Sequence, residues 1–306
     1  MLDLLYLAVG KYTVKQRSYE QVCHVILKQQ LESHLHLITR ERDPYIASAG
    51  HFFVQQYIYE QFSRFGSVEI HTFIVGGKTY KNLILNLPSS GGLEKSGLPP
   101  ILIAAHYDAV PGSPGADDNA TGVAVLLELA RMFATKPAKY PVRLVAFDME
   151  EYGLLGSTDY VRMLKEQQQP LRLMIGLEML GYYDATPGSQ KFPHPLQYFY
   201  PSQGNFIALI GNLRIVFDLI RISRSISQVG ISSQCLPVPN KGLIVKYTRR
   251  SDHAPFWDAG YPAIMVTDTA NMRNPNYHKP SDKIETLNLD FLTGVCEGLF
   301  KGISRL

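Results

Sequence analysis

The sequence predicts an α/β fold, with a mixed, mainly parallel β-sheet sandwiched between helices. Three observations carry this expectation. Ile101-Leu102-Ile103-Ala104-Ala105 is a continuous apolar run, as a strand buried on both faces requires. Strand-like and helix-like periods alternate through the rest of the chain, the order that lays helices over a parallel sheet. Ahead of them, two strand-like runs, Val68–Val75 and Tyr80–Leu87, meet through Gly76-Gly77, a hairpin signal that adds antiparallel strands at one side.

The elements follow in order. Leu27, Leu31, Leu35 and Ile38 recur at helical spacing, so residues 16–39 read as an amphipathic helix, with a second from Ala47 to Phe65. Ser89–Pro100, rich in Ser, Gly and Pro, reads as a loop. Beyond the Ile101 strand, Val123, Leu126, Leu127 and Ala130 share one helical face. Val142–Phe147 reads as a strand, Thr158–Gln167 as a helix and Leu171–Leu177 as a strand. Residues 184–206 are irregular and proline-bearing, and are expected to loop over the site. Ala208–Gly211 reads as a strand before a helix over Leu213–Ser225, Ala263–Thr267 as a late strand and Leu289–Leu306 as a closing helix. There is no internal repeat. A length of 306 residues suits one domain, 1–306, with helices and hairpin over 1–100 and the core over 101–306.

Bulk properties narrow the function. The net charge is +3 and basic residues come in short pairs such as Arg249-Arg250, which makes no case for nucleic acid or an acidic membrane. No apolar stretch approaches the roughly 18–20 residues that span a bilayer. Met1–Val9 is apolar but short, and Asp3 sits where a secretion signal carries positive charge; it reads as a first helix or docking arm. Cys23, Cys235 and Cys296 are too widely spaced for a zinc knuckle or a disulfide framework. They are expected as buried small apolar side chains in a reducing, cytoplasmic setting, although a trimmed secretion signal remains compatible with the chain.

The candidate functional residues gather where the predicted strands end, the edge at which α/β sheets bind ligands. His106 and Asp108 follow the Ile101 strand, Glu150 and Glu151 the Val142 strand, Glu178 the Leu171 strand, and His278 lies beyond the Ala263 strand. Each has an ordinary explanation alone. Asp118 and Asn119 are suited to capping the following helix, paired glutamates are usually solvated, and a single His is usually a satisfied core residue. Four separate loops delivering His, Asp or Glu to one edge is poorly explained that way. Imidazole and carboxylate without thiolate point to a hydrolytic centre for Zn²⁺, with Co²⁺ or Mn²⁺ admissible. Two adjacent glutamates can divide the work, one binding metal and one left free to move a proton. Asp108, two residues after His106, is placed to orient the imidazole.

The motifs His106-x-Asp108, Gly115-Ala116-Asp117-Asp118-Asn119-Ala120-Thr121-Gly122, Glu150-Glu151-x-Gly153-Leu154-x-Gly156-Ser157, Ser251-Asp252-His253 and Tyr277-His278-x-x-Ser281-Asp282 resemble those of the di-zinc exopeptidases of metallopeptidase family twenty-eight. These are the bacterial leucyl aminopeptidase-like enzymes of peptidase clan MH, with a zinc-exopeptidase (phosphorylase/hydrolase-like) fold. The resemblance implies two Zn²⁺ ions, with Asp118 bridging, His106 and Glu178 completing one site and Glu151 and His278 the other. It further implies Glu150 as general base and acid, Asp108 as the partner of His106, and a cis peptide at Asp118-Asn119. The implied activity is removal of N-terminal residues from peptides with a free N-terminus. One position departs from the family, which most often has Asp where this chain has Glu178; the longer side chain bears on substrate positioning more than on metal binding. A glutaminyl cyclase of the same clan and a non-catalytic module are the competing expectations. Tyr183, Tyr247 and Trp257 are candidates for a pocket wall.

Overall fold

The computed structural model describes residues 21–92 and 97–306. The expected Met1–Val9 arm and the first turn of the helix expected over 16–39 lie outside the described residues. Helix α1 covers residues 21–38, and Leu27, Leu31, Leu35 and Ile38 all face inward. Helix α2 (Ser48–Ser63) follows, then β1 (Val68–Val75) and β2 (Lys78–Leu87) as an antiparallel hairpin. Next come β3 (Ile101–His106), α3 (Gly122–Thr135), β4 (Val142–Phe147), α4 (Leu155–Glu166) and β5 (Leu173–Glu178). The chain continues through β6 (Phe206–Asn212), α5 (Val216–Ser227), β7 (Ser232–Val238), α6 (His253–Asp258), β8 (Ala263–Thr267) and α7 (Leu289–Ser304).

The eight strands make one mixed sheet in the order β1-β2-β4-β3-β5-β8-β6-β7. The four central strands, β4, β3, β5 and β8, run parallel. Strand alternation divides their side chains between two helical layers. Ile101, Ile103 and Ala105 meet α1, α2, α3, α5 and α7 in one core; Leu102 and Ala104 meet α4 and α6 in the other. This two-sided burial explains why β3 is apolar at every position up to its terminal His106.

Two elements were not expected. β7 pairs parallel with β6 at the sheet edge, but its residues Ser-Ser-Gln-Cys-Leu-Pro-Val are mostly half-buried, so no continuous apolar run marks it. Pro237 is tolerated because an edge strand needs no second ladder. α6 spans six residues, too few to show a helical period. The C-terminal strands also turn over: β6 runs antiparallel to β8, a reversal that apolar runs do not encode. Smaller shifts occur at boundaries, with α4 starting at Leu155 and β5 extending to Glu178. Of the three cysteines expected to be buried, Cys296 is buried and Cys235 half-buried, but Cys23, at the first described turn of α1, is exposed. Among the described residues, no helix is long and apolar enough to cross a membrane.

Candidate metal centre

The parallel strands end at one rim. β3 delivers His106, β5 delivers Glu178, and the turn after β4 delivers Glu150 and Glu151. The register fixes their level, pairing His106 with Phe147 and Ala104 with Gly176. Asp118 reaches the rim from the segment before α3, and His278 from the loop after β8. Met149, Met179 and His278 have φ of 59°, 52° and 58°. That is left-handed backbone, uncommon for residues with a side chain and concentrated at functional sites.

Asp118 lies between the two histidines. Its Oδ1 is 3.3 Å from His106 Nε2 and its Oδ2 is 3.1 Å from His278 Nε2. Glu178 Oε2 is 3.6 Å from His106 Nε2, and Glu151 Oε2 is 3.3 Å from His278 Nε2. Glu150 Oε2 stands further off, 4.0 Å from His106 Nε2. Two ligands each about 2.0–2.1 Å from a tetrahedral zinc are themselves about 3.3 Å apart, so these separations fit ligands sharing an ion. Satisfaction of polar groups agrees. His106 Nδ1 and Nε2, Asp118 Oδ1 and Glu151 Oε1 are buried without a hydrogen-bond partner, a costly arrangement that a bound cation relieves.

Electrostatics separates the carboxylates. Burial opposes charge on Asp118, but the close imidazoles of His106 and His278 outweigh it and hold its pKa below the usual range. Burial, followed by the charge of Asp118, raises Glu151 to about 7. Burial also pushes Glu150 well up, opposed by His106 and reinforced by Glu178, Glu151 and Asp252. Neighbouring carboxyls driven in opposite directions mark sites where acid and ligand roles divide.

Supporting contacts come from further along the chain. Asp108 is fully buried, and its two oxygens accept the backbone N–H groups of Glu150 and Glu151, each at 3.1 Å. It also stands 3.4 Å from His106 Nδ1, but its hydrogen bonds hold the glutamate turn. Ser251 donates to Glu178 Oε2 at 2.6 Å. Asp282 accepts the N–H groups of Asp117 and Asp118 at 3.0 and 3.1 Å. Asn119, joined to Asp118 by a cis peptide, donates to Leu177 O and accepts from Met179 N, binding the Asp118 segment to the end of β5. Ser251 and Asp282 sat inside the motifs read from the sequence; that they bond residues 73 and 164–165 positions away could not be read there.

An apolar pocket opens beside Glu178, lined in part by Leu196, Tyr200, Ala208, Ile210, Met265 and Tyr247. The segment 184–206 thus supplies one wall. Tyr247 belongs to the lining. Trp257 instead is buried against His253 and donates to Ala263 O, and Tyr183 packs on Phe291.

An α/β sheet that gathers histidines and carboxylates at the ends of its parallel strands has the build of a metal-dependent hydrolase. The chain belongs to peptidase family M28, whose model matches residues 82–208 and 220–300. It is 38% identical over 261 residues to the uncharacterized protein YfbL of Escherichia coli strain K12, covering 80% of this chain and 77% of that one. It is 32% identical over 199 residues to the aminopeptidase YwaD of Bacillus subtilis strain 168, covering 63% of this chain but 38% of YwaD. The fold is shared with the LapA aminopeptidase of Legionella pneumophila, at a TM-score of 0.69 and 19% identity over 94% of this chain and 75% of LapA. A Bacteroides thetaiotaomicron glutaminyl cyclase shares it too, at a TM-score of 0.63 and 15% identity over 92% of this chain and 97% of the cyclase. The fold by itself therefore leaves the reaction open.

Proposed function

We propose that the protein is a zinc-dependent aminopeptidase acting on peptides with a free N-terminus, and that its residues form one exopeptidase unit with the hairpin β1–β2 at the sheet edge. The observation that carries this reading is Asp118, whose two oxygens face two separate histidines. His106, Asp118 and Glu178 would hold one Zn²⁺, and His278, Asp118 and Glu151 a second. Bound zinc supplies Lewis acidity, lowering the pKa of water to about 7 and polarising a carbonyl.

The side chains supply the rest. Glu150 Oε2, the carboxylate furthest from the imidazoles, takes the proton of the attacking water and returns it to the leaving amine. Burial and its carboxylate neighbours raise its pKa, as a group that must both accept and release a proton near neutral pH requires. Asp108 fixes Glu150 and Glu151 through their backbone. The apolar pocket beside Glu178 suits a bulky apolar N-terminal side chain.

The test is metal content together with hydrolysis of amino-acid p-nitroanilides before and after chelation. The expected result is two zinc ions per chain, hydrolysis of the leucine and phenylalanine substrates, loss with chelator and recovery with Zn²⁺, Co²⁺ or Mn²⁺. A protein holding two metals that cleaves no free-amine substrate, and instead cyclises an N-terminal glutamine peptide, refutes the aminopeptidase reading.

A further inference from the structure

Arg42 lies between α1 and α2, outside the residues matched by the family model, and is fully buried. A guanidinium has five N–H donors and no acceptor. Here all five go to backbone carbonyls. Nε donates to Tyr107 O at 2.8 Å, Nη1 to Pro114 O at 2.6 Å and Arg40 O at 3.2 Å, and Nη2 to Gly115 O at 2.8 Å and Asp118 O at 3.2 Å. Four of these acceptors belong to one loop, 107–118. That loop starts directly after His106 and ends at Asp118, so a single planar group holds both ends of the segment separating the two residues.

The packing leaves no slack. Gly115 has a φ of +59°, and a Cβ there would meet Asp118 O at 2.3 Å and the two Nη atoms at 2.8 and 2.9 Å. The segment carrying Arg42 is itself tied to the other side of the site. The neighbouring Asp43 accepts the hydroxyl of Tyr152, the residue after Glu151, at 2.5 Å. Among the described residues the guanidinium forms no ion pair, yet it lies in the field of Asp118, Asp282, Asp108 and Glu151. A buried cation without a contacting anion is costly to keep, and its field falls on the acidic groups of the rim.

We propose that Arg42 is a positioning residue of the metal centre, whose guanidinium sets the spacing of His106 and Asp118 and whose charge offsets the ligand carboxylates. The inference rests on reading the site as a metal centre, though not on the reaction it performs.

The test compares the whole protein with Arg42→Met, Arg42→Lys and Ile38→Ala. Ile38 is equally buried, on α1 in the helix-side core, and so reports simple destabilisation. Each is stripped of metal, titrated with Zn²⁺ against a chromophoric chelator, and loaded with Co²⁺ for its visible spectrum. Arg42→Met is expected to weaken Zn²⁺ binding about 10- to 100-fold, as loss of a group supporting metal ligands does, and to change the cobalt bands. Ile38→Ala lowers the melting temperature but leaves Zn²⁺ affinity within about twofold, as for a site without shared partners. Arg42→Lys keeps the charge but loses the planar fork, and falls between.

Wild-type affinity and an unchanged cobalt spectrum in folded Arg42→Met overturn the proposal. If that variant does not fold, wild-type behaviour of Arg42→Lys overturns it instead. A native protein that binds two metals but cleaves no peptide removes the aminopeptidase reading and leaves this one standing. A native protein that binds neither Zn²⁺ nor Co²⁺ removes both.

Discussion

Replacing Asp108 with Asn isolates the contact that holds the glutamate turn. The side chain is fully buried and accepts the N–H groups of Glu150 and Glu151, one on each oxygen, at 3.1 Å. Asparagine is nearly the same size but keeps one acceptor, so its NH₂ must face an N–H it cannot accept. Losing a hydrogen bond to a charged group costs about 1.5–3 kcal/mol, and the buried N–H left behind about 1–3 kcal/mol more. The sum is about 2.5–6 kcal/mol, a large part of the roughly 5–15 kcal/mol typical of a folded domain. The assay is urea unfolding of the metal-stripped protein at neutral pH, followed by Zn²⁺ titration. Asp108→Asn should unfold at markedly lower urea and bind Zn²⁺ about 10- to 100-fold more weakly. Stability within about 1 kcal/mol of wild type, well under the hydrogen-bond cost, would refute the reasoning, because Asp108 would then not be what holds the turn.

Glu150→Gln should keep fold and metal content while kcat falls by about 10²- to 10⁴-fold, the usual contribution of a general base; turnover near wild type would mean another group moves the proton. Ala208→Phe fills the apolar pocket. It should lower kcat/KM for leucine and phenylalanine substrates about tenfold or more while sparing alanine, and equal losses on all three would contradict the pocket assignment. His253 is buried and its pKa is pushed down to about 4 from 6.5. The unfolded chain thus binds a proton between these values that the folded chain excludes, and stability falls as pH drops from 6.5 to 4. Its imidazole resonance should not titrate above about pH 5 by NMR, and titration near 6.5 would contradict its burial as a neutral ring.

Much of this architecture is legible in the sequence because β3 and β5 are buried on both faces and leave continuous apolar runs, and β4 is interrupted only by the half-buried Arg143. β7 left none, since an edge strand with Ser232, Ser233 and Gln234 is half-buried. The rim residues could be read because each follows a recognisable strand. What they hold on to could not. Asp108 was read as the partner of His106 from a spacing of two residues, and it stands 3.4 Å from Nδ1 of that ring; its hydrogen bonds to the glutamate turn, across 42 and 43 residues, left no such trace. Arg42 gave no signal at all, because its partners are backbone carbonyls and carry no residue identity.

The reversed strand β6 has a consequence for how this protein can change. Four candidate metal ligands, His106, Asp118, Glu151 and Glu178, come from β3, β4, β5 and the loops around them, and His278 from the loop after β8, while much of the pocket wall, including Ala208, Ile210, Leu236, Leu196 and Tyr200, comes from β6, β7 and the segment before them. Substitutions on that flank reshape what is admitted without moving a ligand. Selection could therefore explore new peptide preferences on one side of the sheet while the hydrolytic chemistry stays fixed on the other, and Glu178, which borders both, is where the two would constrain each other.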